Sequence, residues 1–318
     1  PNLGVVGLGS AKPTNPSKAA LKALPHSFMR DEVRVPETKL TVLDGYGQIT
    51  TSRPLMRADL LEAKDEIRLL ELFHLGERFG KQQIVSPLKS SGFGGTTRFQ
   101  DNYSWSTQAL CTREEFGQGV VYYQMTRAGP REYLHFDPYD PTACAAIVSC
   151  GGICPGLNSV IREIVNTLWA YGVRKIFGIR GGFKGVVEAE AWFKLDPDVV
   201  QDIHNQGGTI LVSDRGNPAH ADMAQALKAR NVRQYFVLGG DGTHQGAMAT
   251  FEACLEADHE CAVVGVPKTI DNDVPLLDQT FGFDTACTEA MKAVESAYVE
   301  ATCNANCIGL VKLMGRHC

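Results

Sequence analysis

Hydrophobic and polar positions along this chain of 318 residues fall into two regimes. Before about residue 140 the patterning is weak. Residues 55–80 (LMRADLLEAKDEIRLLELFHLGERFG) space their apolar side chains as a helix does and use helix-favouring residues. The next stretch, to about residue 118, is rich in Gly, Ser, Thr and Asn and reads as loop; VVYYQM (120–125) reads as a short strand and DPYDP (137–141) as a linker. After that the pattern sharpens. ACAAIVSC (143–150) is an unbroken apolar run, as expected of a strand buried on both faces. Strands are then predicted at 175–180, 209–214, 235–240, 262–269 and 308–315, and helices over 158–171, 196–206, 219–230, about 241–257 and about 285–301. Strand alternating with helix predicts a doubly wound, mostly parallel α/β sheet over residues 141–318, preceded by an irregular, partly disordered N-terminal extension over residues 1–140.

Composition narrows the functional classes. An apolar content of 44% and a charged content of 21% suit a folded core. A net charge of -5 argues against a broadly basic nucleic-acid binder, and no apolar run reaches the ~18 residues of a membrane span. Ten cysteines sit mostly inside apolar runs without the common CxxC spacing, so they read as reduced, structural thiols. Residues 1–30 lack Asp and Glu but carry Lys12, Lys18, Lys22 and Arg30, which fits either a flexible basic tail or the remnant of an organellar leader. The expected compartment is the cytoplasm, with a plastid or other organelle as the alternative.

Chemistry-bearing residues gather at the ends of predicted strands. GGICPG, RGG, SDRG, GGDGT, PKTIDND and MGRH each follow one, and ligands of open α/β sheets bind at that carboxyl edge. In GGICPGLN (151–158) the glycines admit close backbone approach and the following helix start offers N–H groups to an anion. In GGDGT, Asp241 suits Mg²⁺ beside a phosphate-binding turn, or serves as a helix N-cap. PKTIDND (267–273) supplies carboxylates at Asp271 and Asp273, either of which could act as a base, with Lys268 or Mg²⁺ to offset charge. Arg215 could clamp a phosphate, and isolated histidines such as His204 and His244 read as structural. The residues themselves thus describe a Mg²⁺-assisted phosphoryl-transfer site with an unidentified acceptor.

In order and approximate spacing, GGICPGLN, SDRG, GGDGT, PKTIDND and MGRHC resemble the 6-phosphofructokinases. The Cys-Pro of the first motif, RAGPRE (127–132) and the Lys of PKTIDND are similar to the ATP-dependent plant, algal and trypanosomatid type. The resemblance implies transfer of the γ-phosphoryl of ATP to the 1-hydroxyl of fructose 6-phosphate, an allosteric glycolytic enzyme, and a homo-oligomer. It implies Asp271 as the base and Asp241 as the Mg²⁺ ligand. Gly152, Arg215, Gly216, Gly240, Asp241, Gly242 and Thr243 would bind ATP, and Thr269, Ile270, Asp271, Met314, Gly315 and Arg316 the sugar phosphate. Gly242 and Lys268 would set donor choice: pyrophosphate-dependent relatives carry Asp at the former position, while Gly with Lys accompanies ATP in this type. An aromatic near the adenine would correspond to Phe183.

Departures and alternatives shape the expectation. Bacterial members carry an arginine where this chain has Cys307, reaching a neighbouring subunit's substrate. The family motif continues MGRxxG, and its second half would follow Cys318; with Pro1 at the start, the chain reads as a fragment, and inactivity of the fragment by itself is expected. A pyrophosphate-dependent enzyme and a non-catalytic regulatory or truncated homologue are the alternatives. NAD kinases and diacylglycerol kinases share GGDGT but lack the continuation from PKTIDND to MGR.

Overall fold

The computed structural model describes residues 129–315 except Arg215, Pro275, Leu276 and Asp278, and upstream the stretches 39–43, 49–54, 66–70, 75–80, 84–90, 99–100, 105–110 and 121–126. Two compact units meet in the sequence between Leu134 and His135. In the first, β1 (Lys39–Leu43) and β2 (Ile49–Pro54) form an antiparallel pair. β3 (Glu66–Leu70) runs parallel to β6 (Val121–Thr126), which pairs antiparallel with β5 (Trp105–Leu110). β4 (Ile84–Val85) pairs with β7 (Tyr133–Leu134), and α1 (Gly76–Phe79) and α2 (Pro87–Ser90) are single turns. The helix expected over 55–80 is therefore corrected at 66–70, where EIRLL extends alongside β6; tertiary pairing overrides a helical propensity worth only tenths of a kcal/mol per residue. The basic segment 1–30 lies outside the described residues.

In the second unit β8 (Cys144–Ser149), β9 (Ile176–Ile179), β10 (Trp192–Leu195), β11 (Val232–Gly239) and β12 (Ala262–Pro267) form a sheet of order β10-β9-β8-β11-β12. All neighbours are parallel except β10, which runs antiparallel at one edge. Every residue of β8 is buried, as its apolar run requires. Its alternating side chains feed two cores: Ala145 and Ile147 meet Leu157, Ile161, Val165 and Leu168 of α3 (Leu157–Tyr171), while Cys144, Ala146 and Val148 meet the other face. That face is covered by α4 (Gly182–Val186), α5 (His220–Ala229) and α6 (Asp241–Glu256). Helices on both faces make the sheet doubly wound. The chain leaves β8 toward β9 but leaves β11 toward β12, so strand order reverses between β8 and β11, the position at which open α/β sheets bind ligands.

Three elements differ from their sequence patterns. Residues 209–214 form a turn at Ile210 and Leu211 and irregular chain around it, not a strand: Leu211 is fully buried among Ile176 and Leu195, but Val212 has φ 52° and breaks any ladder. Residues 196–206 are successive turns ending in a 3-10 turn, Ile203–Asn205, so Val200 and Ile203 share a buried face without an α-helix. After α7 (Phe283–Thr302), residues 308–314 form no strand; Ile308 and Leu310 are more than nine-tenths exposed and pair with nothing in a sheet. The eight described cysteines are all free thiols.

Candidate active site

Three segments converge at the carboxyl ends of β8, β11 and β12. The loop after β8 starts with Cys150, whose N–H donates to Leu238 O of β11 (2.8 Å), and ends at Gly156, which is left-handed and N-caps α3. Gly151 also takes a left-handed φ of 77°, so two αL glycines fold the loop into a tight turn over the sheet edge. Next to it, β11 runs directly into α6. Gly240 is the N-cap with no side-chain cap, so Asp241 occupies the first helical position and does not serve as the cap. Gly242 is exposed, and a Cβ added there meets nothing within 4 Å. Thr243 follows, one residue before the buried His244.

The third segment binds the other two together. Lys268 N–H donates to Gly239 O (2.9 Å), continuing the β11–β12 ladder by one residue, while its ammonium donates to Gly152 O of the glycine loop. Burial pushes the Lys268 pKa below the usual lysine value. Beyond it the chain turns on its own side chains: Thr269 Oγ1 donates to Asp273 Oδ1 (2.7 Å) and accepts from Asp271 N–H (3.1 Å). Ile270 and Asp271 are half-buried at this turn. On the other side of the glycine loop, Ser213 Oγ donates to Gly151 O, and Ser149 Oγ lies 3.2 Å from Thr209 Oγ1. Gly182 fits under Asp214 O and Gly216 against Lys184 Cβ, so the SDRG loop rests on the RGGFKG turn.

His244 Nδ1–H donates to Gly240 O (2.9 Å), reinforcing the first turn of α6, and its buried Nε2 finds no partner among the described residues. Burial depresses its pKa, so it sits there as a neutral imidazole. Asn158 fixes the start of α3 to the turn before SDRG, donating to Gln206 O (3.0 Å) and accepting from Ile210 N–H (2.9 Å). The sequence marks His244 as structural but does not single out the Asn158 tether; only its presence inside GGICPGLN could have drawn attention to it.

The structure thus brings Gly152, Gly240, Asp241, Gly242, Thr243, Lys268, Thr269, Ile270 and Asp271 to one sheet edge. Met314 and Gly315 instead lie on the exposed stretch beyond α7. Arg215 and Arg316 fall outside the described residues. Phe183 is buried in the core against Gly246, where an added Cβ would come within 2.6 Å of its ring.

Residues 144–318 match the family model described as phosphofructokinase. This chain belongs to the phosphofructokinase family. The ATP-dependent 6-phosphofructokinase 1 of Arabidopsis thaliana is 50% identical over 60% of this chain and 40% of that protein. The chloroplastic ATP-dependent 6-phosphofructokinase 4 of the same plant is 36% identical over 98% of this chain and 58% of that protein. A solved phosphofructokinase structure from Saccharomyces cerevisiae aligns at 28% identity over 52% of this chain and 24% of that chain, with a TM-score of 0.45. This phosphofructokinase chain spans 35% to 58% of the length of the Arabidopsis relatives it matches. Among the described residues no helix is long and apolar enough to cross a membrane.

Proposed function

We propose that this chain carries the nucleotide-binding and phosphoryl-transfer part of an ATP-dependent 6-phosphofructokinase, moving the γ-phosphoryl of ATP to the 1-hydroxyl of fructose 6-phosphate. The observation that carries this reading is the convergence of a glycine loop, a helix amino end and a carboxylate-bearing turn at the point where strand order reverses. Backbone N–H groups of the glycine loop and of the first turn of α6 receive the phosphates of the nucleotide. Asp241, at the first position of that helix, fits Mg²⁺: a lone carboxylate suits an ion that completes its shell with phosphate oxygens and water, and no cluster of three His, Cys, Asp or Glu occurs among the described residues. When bound with ATP, the ion offsets negative charge on the phosphate oxygens.

Asp271 takes the proton of the sugar hydroxyl as that oxygen attacks the γ-phosphorus in line; the bond to the β-γ bridging oxygen breaks and ADP departs. Thr269 and Ile270 flank the acceptor, and Met314, Gly315 and Arg316 complete the sugar-phosphate site. Gly216 and Arg215 add to the nucleotide side. Lys268 acts from beneath, holding Gly152 O and so the shape of the glycine loop. Donor choice falls to Gly242: the open space at its Cα leaves room for a nucleotide phosphate, which an aspartate would fill with bulk and like charge. A homo-oligomer, and a cytoplasmic or plastid location, belong to the same reading; one of its supports is that relatives named above include a chloroplastic enzyme.

The test is an assay of fructose 6-phosphate phosphorylation with ATP and, separately, with pyrophosphate. In a version of the chain extended to the length of its relatives, ATP should support turnover, and Asp271→Ala should abolish it while MgATP still binds. Turnover with pyrophosphate alone, or full turnover by Asp271→Ala, contradicts the assignment.

A further inference from the structure

The turn that carries Asp271 is held at both ends, and one of its two tethers is a pair of residues outside the motifs' named chemistry. At its near end Lys268 ties the turn to Gly239 and Gly152. At its far end stands Asn272, in the left-handed region with φ 52°. Its Oδ1 accepts two hydrogen bonds from Thr280, one from the backbone N–H at 2.7 Å and one from the hydroxyl at 3.1 Å. The same hydroxyl lies 3.4 Å from Thr269 O, so a single side chain braces both flanks of Asp271. Position 272 therefore demands a residue that tolerates αL and carries a short acceptor, and asparagine meets both needs.

Thr280 is 4% exposed and belongs to a strap that grips the glycine loop. Two residues further on, Gly282 has φ 87° and packs so closely under Pro155 that a Cβ would run into Pro155 O. Phe281 lies over Gly156, and Cys154 Sγ–H points at Phe281 O (3.8 Å). Residues 280–282 thus grasp Asn272 with one end and the loop 151–156 with the other.

We propose that Asn272 and Thr280 form a latch that positions the Asp271-bearing turn relative to the glycine loop, governing turnover more than substrate affinity. The proposal rests on the reading of Asp271 as the base. Both are positioning residues: neither touches the reacting atoms, and their effect passes through the backbone of the turn. In a reaction dominated by positioning, a displacement of the base relative to the donor lowers the rate while leaving ground-state binding largely intact.

Thr280→Val keeps the side-chain volume and removes the hydroxyl; Thr280→Ser keeps the hydroxyl; Asn272→Gly keeps the left-handed backbone and removes the acceptor. With the parent and its variants made in the version of the chain extended to the length of its relatives, Thr280→Val should lower kcat about tenfold or more, with KM for ATP and fructose 6-phosphate within about threefold of the parent. Thr280→Ser should stay within about threefold of parental kcat. The Thr280 amide should exchange with solvent about tenfold faster in Asn272→Gly than in the parent. Parental turnover in Thr280→Val, equal losses in Val and Ser variants, a loss confined to KM, or unchanged exchange of the Thr280 amide each overturns the latch. If the parent transfers a phosphoryl group from no donor, the assignment of function falls, and the exchange measurement alone decides whether the latch exists.

Discussion

The sheet edge bearing Gly152, Asp241 and Lys268 and the stretch from α7 to Gly315 both carry motifs of one family, and the fold treats them in opposite ways. At the sheet edge each motif residue is placed by backbone: β8 and β11 pair without interruption from Gln234 to Leu238, their ends are pinned by Cys150 N–H and Lys268 N–H, and Ile147 and Leu238 beneath are fully buried. Along α7 no side chain is buried, and Met291, Val294 and Tyr298, at i, i+3 and i+7, present an exposed apolar stripe. The apolar pattern of 308–314 is as strong as that of 143–150, yet Ile308 and Leu310 lie in solvent. A motif fixes chemistry only where its neighbours in space fix its backbone, and this chain supplies those neighbours at the sheet edge.

The most direct way to break the comparison is to truncate one isoleucine from each region. Ile147→Ala removes a fully buried side chain packed between strands and α3 and should cost about 2–5 kcal/mol of unfolding free energy. Ile308→Ala should stay within about 0.5 kcal/mol, since the parent side chain is already hydrated. Comparable losses from both, in denaturant titrations, would show that the exposed stretch is packed in solution.

A somewhat smaller effect tests the strap. Gly282→Ala combines a positive φ with a backbone collision at Pro155, and a loss of about 2–3 kcal/mol is expected. A neutral result would mean that the strap does not rest on the glycine loop.

Smaller still is the response to acid. His244 and His259 are held neutral by burial, His259 while donating Nε2–H to Val232 O (2.8 Å). Their folded pKa values lie below the ordinary 6.5, so the unfolded chain takes up protons first as pH falls. Stability from these two groups is intact above about pH 6.5 and declines as pH drops through that value toward their depressed folded ones. His259→Gln, which retains a donor for Val232 O, should flatten part of the decline in Tm; an unchanged pH profile would contradict the buried-neutral assignment.

How much of this was legible in the sequence follows from what each pattern encodes. β8 announces itself because a strand buried on both faces needs an unbroken apolar run, β11 and β12 through the apolar stretches YFVL and AVVGV, and α3 because Leu157, Ile161, Val165 and Leu168 keep helical spacing. β10 escaped because four residues, WFKL, are too few to show a period. Residues 209–214 looked like a strand because ILV is apolar, but an apolar run that buries Leu211 does not specify the path of the backbone, and Val212 turns it. At the site, the motifs led to Asp241, Gly242, Lys268 and Asp271. They could not show that the Lys268 ammonium grips Gly152 O, or that Thr280 braces Asn272, since those contacts join residues 116 and 8 positions apart by way of the fold.

The central claim is that this sheet edge binds the phosphates of ATP with Gly242 at its mouth. Calorimetric titration of the chain with MgATP, alongside Gly242→Asp, addresses it most directly. A Cβ added at 242 meets nothing within 4 Å, so the variant should keep its stability within about 0.5 kcal/mol while its affinity for MgATP falls about tenfold or more. Equal binding of MgATP by both proteins, or binding of pyrophosphate but not of ATP by the parent, would contradict it.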